Sequence, residues 1–134
     1  MFATEWESLY QKGEQLNAFP YTEVVSFLHK YKKIMREGNV LDVGCGSGVH
    51  AALFAEYGFT VDAFDASQSA IEFAKSKYKG FSRINFVTST TDDFVPVIQY
   101  DLVLDRLCTS QTGLLSTKRF YDRLAQYLNT DGTV

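Results

Sequence analysis

The sequence predicts an α/β domain in three layers: a parallel sheet with helices on both faces, preceded by a pair of N-terminal helices. Three observations predict it. The apolar run Val40-Leu41-Asp42-Val43 opens onto glycines at 44, 46 and 48, the pattern of a strand entering a tight turn. After the turn, short apolar runs alternate with segments of helical period, the order of a parallel sheet built through helical crossovers. Such crossovers are right-handed, which fixes the sense of winding.

Each element has its own signal. Residues 4–16 predict a short amphipathic helix with Trp6, Leu9 and Tyr10 on one side, and 17–20 break it. From Pro20 to Glu37 a second helix is patterned by Val24, Phe27, Leu28, Tyr31 and Ile34, with Gly38 as its stop. Strand 1 is Val40–Val43. Its helix runs from Val49 to Tyr57 and closes on Gly58. Strand 2 is Thr60–Phe64, followed by a helix from about Gln68 to Tyr78 that Gly80 closes. Ser67 can cap that helix, or Ser69 with Glu72 as a capping box. Strand 3 is Ile84–Val87 and strand 4 is Asp101–Leu104. A last helix spans about Thr117 to Leu128, burying Phe120, Leu124, Tyr127 and Leu128. Thr130-Asp131-Gly132 reads as a turn, and Thr133-Val134 as the start of a fifth strand.

Composition bounds the function. The 134 residues suffice for one domain with a real core. A net charge of −3 without a long basic run gives no footprint for a nucleic-acid backbone. No apolar stretch approaches membrane-spanning length, and the acidic start MFATEWE is not a signal peptide. Cys45 and Cys108 form neither a metal nor a disulfide framework. They read as structural thiols in a reducing compartment. The expected protein is cytoplasmic, with no nucleic-acid or membrane partner.

In open α/β sheets ligands bind beyond the carboxyl ends of the strands, where strand order reverses. The glycine turn after strand 1, Gly44-Cys45-Gly46-Ser47-Gly48, brings backbone close to a ligand. Its spacing is not G-x-G-x-x-G. The third glycine comes one residue early and Val49 stands where a dinucleotide site needs glycine. Asp65 follows strand 2, near the expected distance for an acid accepting hydrogen bonds from ribose hydroxyls. A helix-capping role is the alternative for it.

The run Asp42-x-Gly44-x-Gly46-x-Gly48 resembles the first motif of class I S-adenosylmethionine (SAM)-dependent methyltransferases, which have a Rossmann-like fold. The resemblance spans 40–134 and implies a SAM-binding domain over 39–134, behind a helical lid or cap segment over 1–38. It implies that the loop backbone of Gly44, Cys45, Gly46 and Gly48 lies under the methionine and ribose portions of SAM. Asp42 would hold the ammonium end, Asp65 the ribose and Ala66 the adenine. Where many relatives carry an Asp for the adenine amino group, this chain has Thr90, followed by Thr91. Asp92 replaces them if the loop is shifted by two. Asp105 follows strand 4 on the floor between methyl and acceptor. It has three available roles: substrate ligand, general base, or structural acid paired with Arg106.

His29 reads as solvated and His50 as a packing residue. The Lys30, Lys32, Lys33, Arg36 run reads as a polar helix face. The chain lacks the Asn/Asp-Pro-Pro-aromatic motif of amino-directed nucleic-acid methyltransferases. Its N-terminal lead is weakly similar to bacterial small-molecule methyltransferases linked to surface-polysaccharide synthesis, with Tyr10, Asn17 and Tyr21 as lid candidates. The reaction implied is methyl transfer from SAM to a small-molecule acceptor, leaving S-adenosylhomocysteine. The alternatives are a non-catalytic SAM-binding module, a partial subunit of a hetero-oligomeric methyltransferase and, third, a nucleotide-cofactor oxidoreductase. The family's sheet has seven strands, whereas four and a stub are legible here. The C-terminal part is therefore expected to be missing, leaving strand 4 as an exposed edge and a route to self-association.

Overall fold

The structure is a computed structural model and describes residues 19–105 and 113–133. The predicted helix over 4–16 and the lid candidates Tyr10 and Asn17 lie outside the described residues, as do Arg106 and Cys108. The described chain forms α1 (Thr22–Tyr31), β1 (Asn39–Val43), α2 (Val49–Glu56), β2 (Thr60–Asp65), α3 (Gln68–Lys77), β3 (Ile84–Thr88), β4 (Tyr100–Asp105), α4 (Leu114–Leu124), a 3-10 turn (Ala125–Tyr127) and β5 (Leu128–Thr133). The five strands pair in parallel in the order β3-β2-β1-β4-β5. This is the Rossmann-like fold, and its strand order reverses between β1 and β4.

Side-chain alternation along β1 and β2 feeds two cores, and β4 serves both with an irregularity between Tyr100 and Leu102. On one face Val40, Val61, Ala63 and Leu102 pack under α1, α2 and α3 through Val24, Leu28, Tyr31, Phe54, Ile71 and Ala74. On the other, Leu41, Val43, Phe64, Tyr100 and Val103 pack under Phe120 and Leu124 of α4. No described helix is long and apolar enough to cross a membrane.

Four expectations need correction. The last predicted helix stops at Leu124, not Leu128, which begins β5. The second predicted helix stops at Tyr31, not Glu37. Lys32 Nζ donates to the carbonyls of Arg36 and Tyr57, which folds the chain back toward β1. Ile34, expected on the buried stripe, is therefore 83% exposed, and Phe27 is 37% exposed. Next, residues 130–132 are strand rather than turn. β5 pairs with β4 from Tyr100–Leu128 to Leu102–Thr133, with a register shift between them. A side chain at Gly132 would lie 2.9 Å from the Asn129 carbonyl and 3.2 Å from that of Tyr100. The glycine thus marks close backbone approach at a bulge. Last, β4 is not an edge, because β5 covers it.

Candidate functional site at the carboxyl ends of the strands

β1 delivers Asp42 and then a turn in which Gly44, Gly46 and Gly48 all have positive φ, at 69°, 54° and 87°. The turn is tied to β2. Cys45 N–H donates to the Phe64 carbonyl at 2.9 Å, and Gly46 N–H donates to Asp65 Oδ2 at 3.0 Å. Gly48 N–H closes the turn on the Cys45 carbonyl at 3.0 Å.

Gly48 does not open toward a ligand. A Cβ there would sit 2.8 Å from the Phe86 ring and 3.0 Å from Ala74. Its smallness lets α2 start against β3 and α3, so this glycine serves packing. Cys45 is buried in the core and offers the site backbone only.

Three carboxylates converge where the strand order reverses. By alternation Asp42 and Asp65 leave one face of the sheet and Asp105 the other. Asp42 is 4% exposed, and its Oδ2 is buried without a hydrogen-bond partner. Burial, then the charges of Asp65 and Asp105, push its pKa up to about 8. An acid so placed lacks a cation or a donor.

Asp65 is half-buried, and each of its oxygens accepts a backbone N–H: Gly46 on Oδ2, and Ser67 on Oδ1 at 2.9 Å. Carboxylate oxygens have further lone pairs for a ligand's hydroxyls. Ser67, not Asp65, caps α3 by accepting from Ala70 N–H at 3.1 Å. Ser69 lies inside α3 rather than at its cap, and Glu72 accepts from Gln68 Nε2 at 3.0 Å. Ala66 follows Asp65, half-buried.

Asp105 accepts a hydrogen bond from the Tyr121 hydroxyl. Thr90 exchanges hydrogen bonds with Asp93, donating its hydroxyl to Oδ2 and accepting from N–H, both at 3.1 Å. Thr91 is buried at 5% exposure. The Asp92 carboxylate turns to α4, 3.3 Å from Ser116 Oγ and 3.4 Å from Arg119.

His50, read as packing, is buried, and its Nε2 accepts the Tyr21 N–H at 3.0 Å. Their rings stack at 5.2 Å. His29 is exposed on α1. Sequence reasoning missed Tyr121 and Arg123 of α4, which reach the site from far along the chain. A single arginine or tyrosine in an amphipathic helix gives no local signal for that.

Residues 40–132 match the family described as methyltransferase domain. The chain belongs to that family. This methyltransferase domain is 32% identical over 103 residues to the ubiquinone biosynthesis O-methyltransferase of Rickettsia akari, spanning 76% of this chain and 40% of that protein. Among solved structures, it superposes on the Burkholderia thailandensis 1,6-didemethyltoxoflavin-N1-methyltransferase, which holds 1,6-didemethyltoxoflavin and S-adenosylhomocysteine. The TM-score is 0.82 at 22% identity, over 98% of this chain and 58% of that one. A SAM-dependent methyltransferase of Geobacter sulfurreducens bound to S-adenosylhomocysteine superposes at 0.70, with 19% identity over 96% of this chain and 52% of the other. These two likenesses establish the fold.

Proposed function

We propose that the chain is a SAM-dependent methyltransferase that methylates a small-molecule acceptor. One observation carries this reading within the family: a buried aspartate, Asp42, with an unpartnered oxygen, beside a turn of positive-φ glycines at the sheet's point of reversal. A cation-bearing nucleoside cofactor supplies what that oxygen lacks. The donor set fits SAM. Asp42 faces the ammonium end and Asp65 the ribose hydroxyls. Ala66, Thr90 and Thr91 line the adenine side. Gly44, Cys45 and Gly46 contribute backbone, Gly48 shapes the turn, and Asp105 stands beside the acceptor.

When bound, SAM supplies a methyl group already activated by its sulfonium. The protein's own work is then alignment and exclusion of water. Asp105, oriented by Tyr121, can take a hydrogen bond or a proton from an acceptor hydroxyl or amine. Residues 1–38 form the cap segment in this reading, and the compartment is the cytoplasm. The names of the Rickettsia and Burkholderia relatives point to small molecules as acceptors. Nucleic acid and membrane play no part, and self-association would run through the outer edge of β5.

Isothermal titration of the purified chain tests the reading. Heat from SAM and S-adenosylhomocysteine, with none from NAD, is the expected result. Heat from NAD alone would overturn it.

A further inference from the structure

The connection between β3 and β4, residues 89–99, leaves the sheet next to Asp65, where Ser89 N–H donates to the Asp65 carbonyl at 2.9 Å. β3 is an edge strand, so no further described strand flanks this connection. Helix α4 holds it instead. Arg123 Nη1 donates to the Asp92 carbonyl at 2.7 Å, and Nη2 donates to the Thr91 carbonyl. Phe94 stacks on Phe64 at 4.3 Å, and Phe120 of α4 meets the edge of the same ring.

The guanidinium is the one side chain whose rigid fork can take two successive carbonyls. Its role differs from that of Arg119, whose pair with Asp92 is about half exposed on both sides and contributes little. Arg123 is not what seats α4. Phe120 and Leu124, both buried, do that. What Arg123 fixes is the backbone at Thr91 and Asp92, immediately beyond the carboxylate assigned to the ribose.

We infer that Arg123 is a positioning residue for the cofactor, holding residues 88–94 in the shape that receives the adenine ring beside Asp65. The inference rests on the SAM reading above. It places a determinant of adenosyl affinity on a helix that the glycine motif does not reach.

The test uses the whole chain, with S-adenosylhomocysteine and 5′-methylthioadenosine as probes. Affinities are measured by titration at a temperature where circular dichroism shows every variant folded. Arg123→Met is expected to weaken both ligands by about tenfold or more, the size of a lost charged hydrogen bond. The factor should be the same for both, because the affected half is the adenosyl group they share. Arg123→Lys, which can reach one carbonyl, should fall between, and Arg119→Ala should match wild type. Hydrogen exchange should quicken at the amides of 90–94 and not elsewhere. Wild-type affinity in Arg123→Met, or loss for S-adenosylhomocysteine alone, overturns the inference. If Arg123→Met does not fold, wild-type affinity in Arg123→Lys overturns it equally. If the wild-type chain binds neither probe, the cofactor reading falls. Exchange in Arg123→Lys then still decides whether this arginine holds the loop.

Discussion

Replacing Asp42 with Asn should stabilise the ligand-free protein, and more so as pH rises. Folded, Asp42 titrates near 8 because it is buried beside Asp65 and Asp105. Unfolded, an aspartate titrates near about 3.9. The folded state therefore keeps a proton that the unfolded chain releases through the whole interval between. The stability contributed by the neutral acid is fully present below the unfolded value and is lost as pH climbs through the folded one. Each pH unit is worth about 1.4 kcal/mol. Between about pH 5.5 and 7.5 the wild type should lose about 2.5 kcal/mol that the amide keeps. Urea melts of both proteins without cofactor, at several pH values, give the difference directly, and the other titrating groups largely cancel. A difference that stays flat with pH, or that favours the wild type increasingly, would refute the burial argument. The same variant should bind SAM more weakly, since an amide offers the ammonium no charge.

Two further perturbations separate roles within the site. Asp65→Ala should weaken S-adenosylhomocysteine binding at least about tenfold, through loss of charged hydrogen bonds. It should also lower the melting temperature of the free protein, because the carboxylate holds the Gly46 and Ser67 amides; unchanged affinity would leave only the structural role. Gly48→Ala should cost about 1–3 kcal/mol of stability, from the positive φ and the Phe86 contact. Cofactor affinity measured well below the melting transition should stay close to wild type, and a specific loss of binding would return Gly48 to the ligand side.

The β1–turn–α2 unit was legible because its signals are local: an apolar run, glycines where φ is positive, then helical period. The acids at 42, 65 and 105 were legible for the same reason, as residues at or next to the carboxyl ends of strands. The end of α1 was not. Lys32, Lys33 and Ile34 continue the helical period, but the chain must turn to enter β1. Lys32 stabilises that turn through carbonyls at Arg36 and Tyr57, a contact that reaches across to the end of α2. The first part of β5 was hidden by Asp131-Gly132, a dipeptide with strong turn chemistry, so the strand was expected to start only at Thr133. Pairing with β4 overrides it, and the register shift accommodates the glycine. Arg123 was hidden because its partners are backbone carbonyls 31 and 32 positions away, which leave no mark in the residue types around it.

These findings bear on how the site meets its ligand. The turn amides of Cys45 and Gly46 are already bonded to β2, and the carbonyls of Thr91 and Asp92 to Arg123. In these two described segments little ordering is left for binding to impose, and ordering costs are a main drain on affinity. Asp42 is the opposite case. It is held in place but electrostatically unsatisfied, because Asp65 and Asp105 crowd it and no donor reaches Oδ2. A cation arriving there relieves the crowding and makes the ionised form favourable, so the proton leaves as the ligand enters. A carboxyl that costs the empty protein stability as pH rises is thus one that gains from a positively charged ligand. Stability and binding trade against each other at this single carboxyl.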